Sequence, residues 1–180
     1  MKREKMKPKV FAVMGGQGSG KTTTMEVLIR ELTKRGYSIA AAKHIPEPNF
    51  TIDHPGKDTW RFAQSGAKTI ISVAANEVTV IEKISPKDFS LERIMQKCSG
   101  NDLIFLEGFR GIIGKDRSVP KIVVVKSADE TVEALKTLEP ILAFAGLDLA
   151  TNLTLKTPHI NVLKNPKEIA DVVEAVVEKS

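Results

Sequence analysis

Apolar residues recur along this chain in two rhythms, and the change between them marks out the elements. Residues 9–14 (KVFAVM) form a short apolar run that predicts a buried strand. Met25, Leu28, Ile29 and Leu32 then fall at i, i+3, i+4 and i+7, the stripe of an amphipathic helix, and Gly36 stands where a helix-terminating glycine is expected. Residues 38–44 (SIAAAKH) predict a second strand, so the order strand, helix, strand implies a right-handed parallel unit. Residues 45–58 contain three prolines and a glycine and are expected to be loop. A helix is predicted over 58–67, with Asp58 as its N-cap and Gly66 near its end. Residues 68–74 and 77–83 read as two strands of a hairpin, which would make the sheet mixed.

Ser85, Pro86 and Asp88 resemble a helix start, and Leu91, Ile94, Met95 and Cys98 supply an apolar stripe that assigns Cys98 to the core. Strands are predicted over 102–111, 120–126 and 141–146, and a helix over 129–138. Asn165, Pro166 and Glu168 mark the start of a last helix that buries Ile169, Val172, Val173, Val176 and Val177. This alternation, with no internal repeat, predicts an α/β fold: a mostly parallel, mixed central sheet with helices on both faces.

Composition narrows the picture. At 180 residues and 42% hydrophobic content, the chain fits one domain, taken as residues 10–180 after a basic tail at 1–9. No apolar run approaches the roughly 18 residues of a membrane span, and the run after the basic start is too short for a signal peptide. Cys98 is the only cysteine, so no intrachain disulfide forms and a cytoplasmic location is expected. Of the net charge of +5, the tail carries +4: Lys2, Arg3, Lys5, Lys7 and Lys9 against Glu4. The nearly neutral body argues against a nucleic-acid face.

Chemistry is concentrated where the first strand meets the first helix. Gly15-Gly16-Gln17-Gly18-Ser19-Gly20-Lys21-Thr22 satisfies G-x-x-x-x-G-K-[ST] in the required context. A polyphosphate needs several backbone N–H groups aimed at it together, which side chains would obstruct, and the helix start adds a favourable field for anions. Lys21 is expected at the β- and γ-phosphates, the Thr22 hydroxyl on Mg²⁺ and Thr23 near the α-phosphate. Glu107, ending the strand LIFLE, is the candidate acid for a metal-bound or attacking water, and Asp102, at the other end, is structural. Asp53 is a further metal candidate, and Lys57 and Asp58 share its loop, with a helix-cap role open for Asp58. His44 can donate or accept a hydrogen bond, while Arg61 and Arg110 can meet phosphate or pair with surface acids. A guanine reader of the form [NT]-K-x-D is absent, because Lys126 and Asp129 are spaced one residue too far apart. ATP and GTP therefore stay open on the residues alone.

Together these segments resemble a known family. GGQGSGKTT, Lys43-His44, the run Asp53 to Thr59, Ser65-Gly66-Ala67 and Glu107-Gly108-Phe109-Arg110, in that order over about residues 10–126, resemble the MobB adapters of molybdopterin-guanine dinucleotide biosynthesis. The resemblance implies a cytosolic, homodimeric GTP-binding protein with weak or no GTP hydrolysis. It implies that the protein assists attachment of GMP to molybdopterin by a guanylyltransferase partner, MobA. Residues Gly15 to Thr23 would bind the phosphates, with Glu107 beside them. Two other readings compete. A small-molecule kinase would want an arginine-rich lid, and none is evident; a nucleic-acid-dependent ATPase fits poorly with the neutral body.

Overall fold

In the computed structural model, which describes residues 7–85, 88–146 and 156–179, the most apolar runs become the innermost strands. β5 (Leu103–Glu107) is buried at every position, as is β6 (Lys121–Val124). β1 (Lys9–Gly15) lies between them. Strands buried on both faces lack polar alternation, which is the mark of parallel sheets covered on both sides. β2 (Ile39–Lys43), β7 (Ile141–Gly146) and β8 (His159–Asn161) complete the sheet in the order β2-β5-β1-β6-β7-β8. Every pairing is parallel.

One row of side chains, including Phe11, Val13, Leu103, Phe105 and Ile122, packs with Leu28 and Leu32 of α1 (Lys21–Lys34) and Ile169 and Val173 of α6 (Pro166–Glu178). Phe11 and Phe105 stack with centroids 5.6 Å apart. The opposite row, Ala12, Met14, Ile104, Leu106, Val123 and Val125, is buried as well. α5 (Ala128–Thr137) brings Ala134 to that side, where it lines a cleft with Val123 and Val125. Helices thus cover both faces, as expected.

The chain folds as two compact units, one of Met1–His44 with Met95–Ser180 and one of Ile45–Ile94. The second holds α2 (Asp58–Gln64) and an antiparallel hairpin of β3 (Thr69–Val73) and β4 (Val78–Glu82). This corrects the expectation of a mixed sheet: the hairpin is a separate two-stranded sheet, and the central one is parallel throughout. Its strands leave Ile71, Val73, Val78 and Val80 exposed and lack the two-sided burial of a parallel strand.

Helix starts also differ. Lys57 holds the N-cap position of α2 and Asp58 is its first residue, so Asp58 places an acid in the first turn without capping it. α3 (Leu91–Lys97) begins later than Ser85 would place it: the Ser90 hydroxyl accepts the Arg93 N–H at 3.2 Å, and Pro86 lies outside the described residues. Cys98, assigned to the core, is half-buried, and burial pushes its thiol above the ordinary value. Asn165 occupies the N-cap of α6 with Pro166 following, but its side chain makes no capping bond. β8 has no counterpart among the predicted strands. No described helix is long and apolar enough to cross a membrane.

Candidate functional site

The site is built where β1 hands over to α1. At Gly15 an added Cβ would lie 2.4 Å from the Val124 carbonyl oxygen and 2.6 Å from Ser19 Oγ, so only glycine fits under the neighbouring strand. Gly18 (φ 64°) and Gly20 (φ 98°) are left-handed, conformations that favour glycine. Gly20 occupies the N-cap of α1 and cannot cap by side chain, and the first turn carries no acid. The leading N–H groups of a helix have no partner within it, so here they stay available to an incoming anion. The buried Thr24 hydroxyl donates to the Gly20 carbonyl at 3.1 Å and fixes the turn. Ser19 Oγ is buried and unpartnered, which leaves the loop with hydrogen-bonding capacity to spare.

Lys21 Nζ donates to the carbonyls of Gly15 (3.1 Å) and Gly16 (2.7 Å), so the ammonium is held over the loop it would serve. Thr22 Oγ1 lies 3.5 and 3.4 Å from the two oxygens of Glu107. The parallel register puts Val13, Glu107 and Lys43 in one row, and Lys43 Nζ pairs with Glu107 Oε1 at 3.2 Å. Glu107 is only 8% exposed, whereas its lysine partner is largely in solvent. β5 then turns sharply: Gly108 (φ 88°) and Phe109 (φ 58°) are both left-handed, and Gly108 N–H donates to the Val13 carbonyl at 3.0 Å. Phe109 is buried and meets the His44 ring at 5.3 Å between centroids, so His44 braces this turn.

Beside the loop, Lys126 Nζ donates to the Gln17 carbonyl at 3.3 Å, and Lys126 N–H donates to Glu130 at 2.7 Å. The Ser127 hydroxyl caps α5 by accepting the Glu130 N–H. A cleft of about 120 Å³ opens there, lined among others by Gly15, Gly16, Val124, Glu130 and Arg110. Arg110, in the short α4 (Arg110–Ile113), donates to Glu133 at 2.8 Å and Thr137 at 2.7 Å.

The structure therefore brings together Lys21, Thr22 and Glu107, with Gly15 to Gly20 around them. Thr23 sits in the first turn of α1, exposed. Asp53, Lys57, Asp58 and Arg61 belong to the Ile45–Ile94 unit. There the Asp53 carboxylate accepts the His54 N–H and the Thr59 hydroxyl, both at 2.9 Å, and organises its own loop. Asp58 and Arg61 pair at 3.5 Å. Asp102 acts structurally, accepting the Ser38 N–H and hydroxyl at 2.8 Å each. Sequence reasoning did not assign site roles to Lys43 or Lys126; only the strand register and the fold of the loop bring them here.

The donor chemistry suits Mg²⁺. Among the described residues no group of three or more His, Cys, Asp or Glu gathers as a complete metal cage. A hydroxyl and one carboxylate beside a polyphosphate loop are instead the sparse oxygen set that Mg²⁺ takes when phosphates and waters fill its remaining positions.

The glycine loop at the end of a central parallel strand, with a lysine, a threonine and a facing carboxylate, defines an α/β protein of the P-loop type. The family model described as "Molybdopterin guanine dinucleotide synthesis protein B" matches residues 10–147. This chain belongs to that MobB family. It is 32% identical over 169 residues to the molybdopterin-guanine dinucleotide biosynthesis adapter protein of Haemophilus influenzae, covering 92% of this chain and 87% of that one. It is 28% identical to the adapter protein of Escherichia coli K12 over 174 residues, 94% of each chain. The crystal structure of a molybdopterin-guanine biosynthesis protein B superposes with a TM-score of 0.71 at 23% identity, covering 94% of this chain and 99% of the other.

Proposed function

We propose that this protein is a GTP-binding adapter in the biosynthesis of molybdopterin-guanine dinucleotide, with weak or no hydrolysis of its own. The observation that carries this reading is the meeting of Lys21, Thr22 and the nearly buried Glu107 at one glycine loop, in a chain whose relatives bear that adapter name. Lys21 would leave the loop carbonyls for the phosphates. Thr22 and, through water, Glu107 would hold Mg²⁺, which supplies charge neutralisation to the polyphosphate when bound. The backbone N–H groups at the start of α1 would fix the phosphates in place without side-chain rearrangement. Guanine preference, a MobA guanylyltransferase partner that performs the transfer, contact with molybdopterin or its dinucleotide, a homodimer and a cytoplasmic location are parts of the same reading. They rest on family membership. The exposed apolar rows Ile71/Val80 and Val73/Val78 of the hairpin offer a surface for a second copy.

Arginine use disfavours the alternative, a kinase. In the sheet unit Arg110 pairs with Glu133 and Arg117 with Glu139, so neither stands as a free lid cation. The test is equilibrium binding of labelled GTP and ATP with Mg²⁺, together with phosphate release with and without a molybdopterin source. The adapter reading expects saturable GTP binding with turnover far below the ~1–100 s⁻¹ of kinases. Rapid phosphate transfer to a metabolite would refute it. Lys21→Ala should weaken triphosphate binding by roughly 10- to 100-fold, the worth of charge-assisted hydrogen bonds, with the melting curve preserved.

A further inference from the structure

We propose that Lys43 is a positioning residue: it pairs with Glu107 at the cation place of that carboxylate and must yield that place when Mg²⁺ enters with nucleotide. The inference rests on the Mg²⁺–nucleotide reading above and goes beyond it, by making metal loading an exchange between two cations.

Four observations carry it. Glu107 is 8% exposed, so its carboxylate has little water to offset its charge. Its oxygens meet the Lys43 ammonium at 3.2 Å and, more loosely, the Thr22 hydroxyl at 3.4 and 3.5 Å. Those two partners differ in kind: Thr22 is itself a metal-type oxygen donor, whereas Lys43 is a competing cation. The geometry is also imposed from outside the loop. Lys43 and Glu107 are register partners on adjacent parallel strands, so their side chains leave the same face side by side. The lysine is free to leave, since 57% of its side chain is exposed and its long stem needs no backbone change to swing into solvent.

A divalent ion near the same carboxylate would lie within a few ångströms of the ammonium, and two cations at that separation repel, though solvent around the half-exposed lysine screens part of the effect. Lys43 therefore serves two ends. It keeps the carboxylate aligned and neutralised until Mg²⁺ replaces it, and it sets a threshold that free Mg²⁺ must exceed. Lys21 has the same relation to the loop, resting on the carbonyls of Gly15 and Gly16. Each of the two cations is held on an oxygen acceptor that a bound ligand would compete for or reorganise.

The experiment titrates Mg²⁺ against a fixed concentration of a fluorescent GTP analogue in the full chain, for the parent, Lys43→Met and Lys43→Arg. Lys43→Met is expected to lower the Mg²⁺ concentration for half-maximal binding by about two- to fivefold, the worth of a half-exposed ion pair. Lys43→Arg, which keeps the charge, is expected to keep the parent midpoint. Mn²⁺ binding without nucleotide, read by electron paramagnetic resonance, should tighten in the Lys43→Met variant. An unchanged or raised midpoint in Lys43→Met, with an unchanged melting curve, overturns the proposal. So does an Arg variant that behaves like Met. Failure of the parent to bind nucleotide, or undiminished binding by Lys21→Ala, overturns the nucleotide reading itself and is recognisable as that separate result.

Discussion

Two lysines at opposite ends of the central sheet make the same bonds and face different futures. At the carboxyl end, Lys21 donates to the carbonyls of Gly15 and Gly16 from a half-exposed position. At the amino end, Lys121 donates to the carbonyls of Asp116 and Glu139 from a position with no exposure. A cation on two carbonyls is releasable where water or an anion can replace them, and structural where neither can enter. Lys121 is thus a clasp, joining the 114–120 loop to the residue before Pro140. Burial lowers its pKa despite the nearby Asp116 and Glu139 charges.

That contrast can be broken in graded ways. The largest expected effect is on the carboxyl end. Gly15→Ala would drive a methyl group against the Val124 carbonyl and Ser19 Oγ. Overpacking of this kind costs about 1–3 kcal/mol, and by displacing the loop it should abolish triphosphate binding, measured by calorimetry alongside thermal melting. On the amino end, Lys121→Met removes the donor from two carbonyls and should destabilise the fold by about 1–3 kcal/mol in a denaturant titration, without changing nucleotide affinity. A loss of affinity in that variant would erase the distinction between the two lysines.

A smaller effect concerns pH. Because the native pKa of Lys121 lies below its ordinary 10.5, the unfolded chain holds more protons between those two values. Stability should therefore rise with pH through that window in the parent, relative to Lys121→Met, and the difference should flatten at neutral pH. The smallest effect is expected at Arg117, whose pair with Glu139 at 2.9 Å is exposed on the arginine side. Arg117→Ala should leave the melting temperature unchanged within error, because solvent screens the pair.

The phosphate loop was legible because its constraint is local: glycines at fixed spacing before a lysine mean the same thing wherever a strand meets a helix. Glu107 was legible as a strand-end carboxylate. Lys43 was not, because its role depends on β5 inserting between β1 and β2, and side-chain periodicity does not state strand order. Lys121 misleads for a related reason. A lysine opening an apolar run carries no sign of its burial, which the carbonyl of Asp116, five residues before it, and that of Glu139 together make tolerable. The hairpin forms its own sheet where the sequence predicts a mixed one, since a pattern of half-exposed strands identifies pairing and not the partner. β8 is three residues long, too short to express a period.

The row formed by Val13, Glu107 and Lys43 also limits how this protein can change over time. In a pleated strand, neighbouring residues leave on opposite sides. Inserting or deleting a single residue within Leu103–Glu107 would send the acid to the other surface of the sheet, away from both threonine and lysine. Length variation upstream of Glu107 is therefore expected to fall in the connections before Leu103, leaving this strand's residue count fixed among descendants that keep the site.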